Sequence, residues 1–358
     1  MDTANKRVLW LDLLRVVAIF AMVLLHVCTG NFLGLDSAWR SADPTGFSWQ
    51  ILNLFDCLTR FCVPVFCMIS GVFFLDPDRE LPFKKLFSKN IRRIVLAFIV
   101  TSAVYALLGP VIRGEALSFG TLVSVVKNGV LGHYHLWFLL MLIGFYLIVP
   151  LLRKLCADRK SMEYFLLLTF IFVFLYNAVC LLPGLGSLAT VQAGKMSVGL
   201  VAGFVGYFVL GSYLTRFPLS RRSCTFVYIG GAVALCTTVV MNGLLSFTSG
   251  VAQEGLYGYL LPNTLLEAAA VFLLFHQLFA KKEWSEKQQK VILTLSRYSF
   301  GVYLIHDLFN MLLHRLGITA LTVSPLLAVP VLTAVVLAAS IGGSALLYRI
   351  PLLKKYIL

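Results

Sequence analysis

Long apolar runs recur along this sequence and constrain its fold more than any other feature. A helix needs about 20 predominantly apolar residues to cross the ~30 Å hydrocarbon core of a bilayer. Ten runs approach that length: 8–28, 51–75, 91–112, 135–152, 162–182, 199–215, 224–245, 259–280, 297–315 and 325–348. None has the alternating pattern of a barrel strand. The runs predict an all-α polytopic membrane protein of about ten transmembrane helices, with residues 1–358 forming a single integral-membrane domain.

The composition excludes a soluble or a disordered chain. Hydrophobic residues make up 59% of the 358 residues and charged residues 13%, and the mean hydropathy is +0.88. A soluble domain of this composition would expose large apolar patches, and disordered chains are far more polar. The eight cysteines form no CxxC pair and mostly lie in apolar runs. We therefore expect reduced, packed thiols rather than a metal site or a disulfide framework.

Positive charges alternate from loop to loop. Of the 30 Lys and Arg residues, 23 lie in every second segment between the runs: 1–7, 76–93, 153–160, 216–222, 281–297 and 349–355. Five lie in the intervening segments: Arg40, Arg113, Lys127, Lys195 and Arg315. Because cytoplasmic loops are enriched in Lys and Arg, we predict that both termini are cytoplasmic. The net charge of +14 then reflects topology, and nucleic acid is not expected as a partner.

The first run carries two ionisable side chains at a defined spacing. Arg15 and His26 are eleven residues apart. In a helix they return to nearly the same face, roughly 16 Å apart along the axis. Ionisable groups inside a membrane are costly and indicate functional sites. Arginine binds phosphate or carboxylate through a fork of donors, and histidine acts as a general base near neutral pH. The alternative is a snorkelling arginine and a hydrogen-bonded core histidine.

Two arginines have an aspartate within one helical turn. Asp12 precedes Arg15 by three residues and Asp56 precedes Arg60 by four. These spacings bring side chains together on a helix, so both pairs are predicted to be local ion pairs. The run that contains Arg60 continues with a proline and a Ser-Gly pair. Such residues within a span predict a kink or the close approach of another helix.

Polar side chains also occur in three later runs. His135 and Trp137 open the fourth run, Glu267 lies in the eighth and His306 in the ninth. For His135 and Trp137 the alternative is an aromatic belt at the membrane interface. The sequence has no Walker A loop, GxSxG elbow, HExxH or dinucleotide-binding GxGxxG. An NTP-driven pump, a serine hydrolase and a zinc protease therefore lack sequence support.

Five short elements, in this order, resemble the bacterial integral-membrane acyltransferases of family 3, the family of sugar O-acetyltransferases. They are Asp12-x-x-Arg15, Arg15-x10-His26, Arg60-x-x-x-Pro64-x-Phe66-x-x-Ile-Ser70-Gly71, His135-Leu-Trp137-Phe138 and Tyr298-Ser-x-Gly301-x-Tyr303-x-x-His306. They extend over most of the chain, and ten helices is the usual number in that family. Cys67 departs conservatively from the phenylalanine of many members. The chain is most similar to single-domain members such as those that O-acetylate enterobacterial common antigen.

The resemblance implies a reaction and roles for particular residues. It implies cytoplasmic acetyl-coenzyme A as a co-substrate, with no bound cofactor or metal. It also implies a glycan or lipid-linked sugar as acceptor, at the bacterial inner membrane. His26 corresponds to the catalytic histidine of the family and Arg15 to its essential arginine. We expect His26 to be the general base, and a histidyl acyl intermediate is the alternative. The resemblance places Arg15, Arg60 and Ser70 on the donor side, and on the acceptor side His135, Trp137, Glu267 and His306.

Two other classes of function remain as alternatives. A small-molecule transporter often has repeated halves with paired broken helices, and neither is evident in the sequence. A structural or sensory membrane domain is the other alternative. The sequence leaves open the identity of the acceptor, the choice between acetyl and succinyl groups, and whether the protein forms a homo-oligomer within the lipid bilayer.

Overall fold

The described part of the chain is helical. The computed structural model describes residues 8–29, 38–114, 118–186, 190 and 199–358, and no strand occurs among them. The prediction of an all-α protein is confirmed. The described residues contain twelve helices of at least 11 residues: α1 (Leu9–Thr29), α2 (Phe47–Cys57), α3 (Cys62–Phe74), α4 (Arg92–Arg113), α5 (Phe119–Leu131), α6 (Trp137–Leu155), α7 (Arg159–Thr169), α8 (Val205–Arg216), α9 (Arg221–Ser249), α10 (Pro262–Phe279), α11 (Glu286–Arg315) and α12 (Pro325–Leu347).

Shorter helical segments lie between these helices, and one follows the last of them. They are Ala38–Ser41, Phe83–Lys85, Leu86–Ile91, Tyr134–Leu136, Phe170–Leu175, Tyr176–Cys180, Gly199–Val201, Gly255–Tyr257 and Pro351–Tyr356. Two of them, Leu86–Ile91 and Phe170–Leu175, are π-helical turns continuous with the neighbouring helices. A π turn shifts the register of the side chains that follow it without ending the helix.

Seven helical stretches among the described residues are long and apolar enough to cross a membrane. They are Leu9–Thr29, Phe47–Phe74, Phe83–Ile112, Phe119–Leu155, Arg159–Cys180, Arg221–Ser249 and Pro325–Leu347. The other three predicted spans correspond to α8, α10 and α11, which are helical as well. The protein is therefore a polytopic membrane protein. The topology stays a prediction, and three of its basic residues, Lys6, Arg7 and Lys195, lie outside the described part.

The predicted second span is broken in its middle. The first helix ends at Cys57 and the next begins at Cys62, with a turn between them. Pro64 lies in the first turn of α3, where a backbone N–H has no partner within the helix and a proline therefore costs little. The predicted kink is thus present, and it lies on the N-terminal side of Pro64, where a proline removes a helical hydrogen bond and its ring crowds the carbonyl four residues earlier.

The chain divides into two compact units. Unit 1 comprises Met1–Met22, Pro44–Glu80 and Val149–Leu293. Unit 2 comprises Val23–Asp43, Leu81–Ile148 and Thr294–Leu358. Each unit is assembled from three separate stretches of chain, so long-range helix packing and not sequence proximity forms each of them.

Glycines bring two helices of unit 1 into backbone contact. A Cβ on Gly71 of α3 would overlap the carbonyl oxygen of Phe208 of α8, and a Cβ on Gly211 would overlap the carbonyl oxygen of Met68. The close helix approach predicted from the Ser-Gly pair is confirmed. Small residues of this kind let helix backbones pack tightly where lipid offers no hydrophobic driving force.

Unit 2 has a similar contact between α11 and α12. A Cβ on Gly301 would overlap the side chain of Ser344, whose hydroxyl lies 3.2 Å from the carbonyl oxygen of Tyr298 and donates to it. The hydroxyl of Tyr105 on α4 donates to the carbonyl oxygen of Leu304 at 3.1 Å. These contacts hold α4 and α12 against α11, the helix that carries His306.

The cysteines are free thiols in this structure. All eight lie among the described residues without a disulfide, and six are buried. Cys180 is partly exposed and Cys236 is exposed.

Candidate active site

A cluster of histidines lies in unit 2. Its members are His26 of α1, His133 and His135 at the short turn before α6, and His306 of α11. The ring centre of His306 lies 4.9 Å from that of His26 and 5.0 Å from that of His135. The ring centres of His26 and His135 are 6.2 Å apart. Three residues that the sequence analysis placed on different helices are therefore brought together.

The closest contact in the cluster joins His26 to His306. The Nδ1 atom of His26 lies 2.6 Å from Nε2 of His306, and the two rings are nearly parallel. On its other side, Nδ1 of His306 lies 2.9 Å from the carbonyl oxygen of Tyr303. A carbonyl oxygen only accepts hydrogen bonds, so Nδ1 of His306 carries a proton. In a neutral imidazole Nε2 is then an acceptor, and Nδ1 of His26 donates to it. The lone pair of His26 is left on Nε2.

A second polar chain runs from Asp307 to His135. The Oδ2 atom of Asp307 lies 3.4 Å from Nε2 of His133, without a hydrogen bond between them, and Nδ1 of His133 lies 3.0 Å from Nδ1 of His135. The Oδ1 atom of Asp307 accepts from the hydroxyl of Tyr134 at 3.1 Å and from the side-chain amide of Asn310 at 3.3 Å. The aspartate and both histidines are buried. Their ligating atoms all lie within 4.8 Å of one another, so their spacing alone would also suit one cation.

The sequence analysis missed His133 and Asp307. The first is two residues before His135 and the second directly follows His306. Adjacency to an intramembrane histidine was the signal that could have identified them, because a buried imidazole needs polar partners.

Arg15 belongs to a group of arginines in unit 1. It pairs with Asp12 at 3.1 Å, which confirms the predicted ion pair, and its side chain is 30% exposed. Its guanidinium lies 5.8 Å from the ring centre of Phe73, and the guanidinium of Arg79 lies at the same distance from that ring. Arg153 donates to the carbonyl oxygen of Arg79 at 2.7 Å. Arg79 is exposed, and in the sequence it had only a role in the topology prediction.

Arg60 is held by other side chains of unit 1. Its guanidinium forms two hydrogen bonds with the buried carboxylate of Asp56, one of them at 2.7 Å, and the predicted ion pair is confirmed. The same guanidinium lies 4.7 Å from the ring centre of Tyr257 and 5.4 Å from that of Tyr259. These contacts compensate the charge of Arg60, and its assignment to the donor side stays a prediction.

The remaining predicted site residues are placed as follows. The hydroxyl of Ser70 donates to the carbonyl oxygen of Phe66 at 2.9 Å, within α3. Glu267 is buried on α10 of unit 1. Trp137 is the first residue of α6, in unit 2, and is 38% exposed. Their assignment to the donor or acceptor side stays a prediction.

The helical membrane fold and the His26–His306 contact define an integral-membrane protein with a pair of histidines in contact on two of its helices. The model of the family described as acyltransferase domain (Acyl_transf_3) matches residues 8–349, and the chain belongs to this family. A Bacillus subtilis (strain 168) protein with the provisional name membrane-bound acyltransferase YfiQ is 24% identical over 309 residues, which cover 83% of this chain and 79% of that protein. No solved structure matches the chain. The protein is therefore a multi-pass membrane acyltransferase.

Proposed function

We propose that this acyltransferase moves an acetyl group from cytoplasmic acetyl-coenzyme A to a hydroxyl group of a cell-envelope glycan or lipid-linked sugar, in the bacterial inner membrane. The observation that carries the proposal is the hydrogen bond between His26 and His306, which leaves a lone pair on Nε2 of His26. The resemblance to sugar O-acetyltransferases, and in particular to the enterobacterial-common-antigen O-acetyltransferase, supports the acetyl group and the class of acceptor.

His26 acts as the general base in this reaction. A sugar hydroxyl is a poor nucleophile until its proton is removed in the transition state. Nε2 of His26 takes that proton while the hydroxyl oxygen forms a bond to the thioester carbon. When the carbonyl re-forms, the carbon–sulfur bond breaks and the sulfur receives the proton from Nε2. The products are an O-acetyl ester and free coenzyme A, and His26 returns to its starting tautomer.

His306 is a positioning residue for this base. Its Nδ1–H is fixed by the carbonyl oxygen of Tyr303, so its Nε2 presents an acceptor to Nδ1–H of His26. This contact fixes both the tautomer and the ring orientation of His26, as the partner of a catalytic histidine does in other acyl-transfer enzymes.

The donor binds through the arginines around Phe73. Coenzyme A carries a diphosphate and a ribose phosphate, and arginine binds phosphate through two parallel hydrogen bonds. Arg15 is partly exposed and Arg79 is exposed, so both guanidinium groups are accessible to an anion. Arg15 lies on α1, the same continuous helix as His26. Arg60, which is paired with Asp56, and Ser70 are the further residues that we assign to the donor side.

The proposal is tested first in cells. Deletion of the gene should remove the mass of an acetyl group from a cell-surface glycan, and the wild-type gene should restore it. A gene that encodes His26→Asn should not, because asparagine keeps a hydrogen bond but has no basicity. Unchanged glycans on deletion would contradict a glycan acceptor.

The second test uses purified protein in detergent with a glycolipid extract of the same membranes. Release of the coenzyme A thiol is compared for acetyl-coenzyme A and succinyl-coenzyme A. Acetyl-coenzyme A should be consumed faster, and consumption should depend on the extract and on His26. Preferential use of succinyl-coenzyme A would overturn the acetyl assignment, and consumption of neither would overturn the proposed donor.

A further inference from the structure

Arg153 donates hydrogen bonds to the backbone at both ends of one loop of unit 1. It lies in the last turn of α6, and the loop is the segment 75–80 that follows α3. Its Nη1 atom donates to the carbonyl oxygen of Phe74 at 3.1 Å, and its Nη2 atom donates to that of Arg79 at 2.7 Å and to that of Pro77 at 3.4 Å. One guanidinium group therefore connects the last residue of α3 to the far end of the loop.

These three contacts suit an arginine and link the loop to another helix. The last carbonyl oxygens of a helix have no partner within it, and the helix dipole favours a cation beside them. Arginine presents several N–H donors in a rigid plane, so it can bind several carbonyl oxygens at once. The loop's own bonds are local, because the amides of Asp78 and Arg79 donate to the side chain and to the carbonyl oxygen of Asp76 at 3.0 and 3.4 Å. Arg153, in contrast, is 74 residues away from Arg79 in the chain.

The backbone of this loop determines where the guanidinium of Arg79 can lie. That guanidinium is 5.8 Å from the ring centre of Phe73, at the same distance as the guanidinium of Arg15. Arg79 is exposed, and ordering a long exposed side chain around a ligand costs conformational entropy. A backbone that is already fixed lowers this cost, because only the side chain remains to be ordered.

We infer that Arg153 is a positioning residue for the acyl donor: it fixes the backbone of Arg79, so that the guanidinium of Arg79 stays beside Phe73 for the phosphate groups of the donor. This rests on the proposed function, in which Arg15 and Arg79 bind those phosphates. Arg153 directs its own Nη atoms to carbonyl oxygens, so no contact with the donor is assigned to it. Its contribution to donor binding should therefore vanish when Arg79 has no guanidinium.

A double-mutant cycle tests this dependence. The dissociation constant of acetyl-coenzyme A is measured by calorimetry for the purified wild type, Arg153→Gln, Arg79→Ala and the double variant. Arg153→Gln should weaken binding by about tenfold when Arg79 is present and by less than about twofold in the Arg79→Ala background, as expected for two coupled residues. The same effect of Arg153→Gln in both backgrounds, or unchanged binding by Arg79→Ala alone, would overturn the inference.

Kinetics and a matched control separate positioning from a general loss of structure. Arg153→Gln should raise the KM for acetyl-coenzyme A and leave kcat at saturating donor within a few-fold, because Arg153 does not touch the reacting atoms. A lower kcat with an unchanged KM would overturn the inference. The control is Arg216→Gln, which should keep the wild-type KM. Arg216 is the last residue of α8 and donates to the carbonyl oxygen of Cys156 at 2.8 Å, so this variant also loses a guanidinium–carbonyl bond in unit 1.

A second variant keeps the test possible if glutamine prevents folding. Arg153→Lys retains the positive charge at the end of α3 but has a single donor atom on a shorter stem. It should show a smaller loss of donor binding with the same dependence on Arg79. An effect of Arg153→Lys that is equal with and without the guanidinium of Arg79 would overturn the inference.

Hydrogen exchange tests the loop itself and needs no donor. The amides of Asp78 and Arg79 should exchange faster in Arg153→Gln than in the wild type, because the loop opens more often once its contacts with α6 are lost. Unchanged exchange in this segment would overturn the inference. Failure of the wild type to bind acetyl-coenzyme A would instead overturn the proposed function, so the two failures are distinct.

Discussion

His26 Nδ1 lies 2.6 Å from Nε2 of His306, although 280 residues separate the two in the chain. The first is on α1 and the second on α11, and both belong to unit 2. His306 in turn is held by the carbonyl oxygen of Tyr303, one turn earlier in its own helix. The carbonyl oxygen of Tyr303 thus fixes the tautomer of His306, and His306 fixes the tautomer of His26.

The first prediction concerns His306. His306→Leu removes the acceptor for Nδ1–H of His26, so we expect kcat for acetyl transfer to fall by at least about tenfold while the KM for acetyl-coenzyme A stays within a few-fold. Positioned base catalysis contributes about 10²–10⁴-fold, which sets the upper limit of the loss. His306→Gln places a carbonyl oxygen where Nε2 was and should recover part of the lost kcat.

Partial rescue by glutamine separates positioning from packing. If His306 only fills space, leucine should be tolerated at least as well as glutamine, because it is closer to the apolar surroundings. Equal loss in both variants with a normal folded yield would contradict the role of an acceptor at this position.

Much of the fold could be predicted from the sequence because membrane spans are local. A run of apolar residues defines a helix without reference to the rest of the chain, and ion pairs such as Asp12–Arg15 depend only on spacing along one helix. The kink in the second run could be predicted from its proline, but its position between Cys57 and Cys62 required the structure.

The site was predictable only in part. An ionisable residue inside an apolar run can be recognised from the sequence alone, and His26, His135 and His306 were found in that way. No pattern in the sequence relates α1 to α11. The contact between His26 and His306, and the tautomers of the two imidazole rings, could therefore be found only from the structure. Arg79 could not be found in this way. An arginine in a loop is expected from the membrane topology alone, so the sequence gives no indication that it binds a ligand.

The second prediction is the topology. Cys236 is exposed and Cys180 partly exposed, so both are replaced by serine, whereas the six buried thiols are retained. Single cysteines are then introduced at two exposed positions, Asp78→Cys and Glu254→Cys. A membrane-impermeant maleimide should label Glu254→Cys in intact cells, and Asp78→Cys only after lysis. Labelling of Asp78→Cys in intact cells would place the loop outside and reverse the model.

The third prediction concerns the contact between α3 and α8. Gly71→Ala places a methyl group against the carbonyl oxygen of Phe208, which belongs to the backbone and cannot rotate away. Overpacking of this kind typically costs about 1–3 kcal/mol, so the temperature of unfolding in detergent should fall clearly. Gly144→Ala, on α6, is the matched control, because a Cβ there meets no atom within 4 Å. Equal stability of the two variants would show that the helices can separate freely.

The fourth prediction concerns Arg15 and the donor. Arg15→Lys keeps the positive charge but loses the fork of donors that binds a phosphate group through two hydrogen bonds. A hydrogen bond to a charged group contributes about 1.5–3 kcal/mol, so the KM for acetyl-coenzyme A should rise by about tenfold or more. Arg79→Lys should weaken donor binding as well, because its guanidinium lies beside the same Phe73 ring. Both effects are measured as KM and as direct binding of acetyl-coenzyme A.

The control for these variants is Arg222→Lys, an exposed arginine in the first turn of α9. It should keep the wild-type KM, because the surface charge is unchanged and no donor contact is assigned to it. Folded yield, measured by size-exclusion chromatography, should be the same for Arg15→Lys, Arg79→Lys and Arg222→Lys, because each substitution keeps the positive charge. If a folded Arg15→Lys protein binds the donor as the wild type does, Arg15 is a residue whose side chain snorkels to the membrane interface and does not bind phosphate. The phosphate site would then have to be sought elsewhere in unit 1.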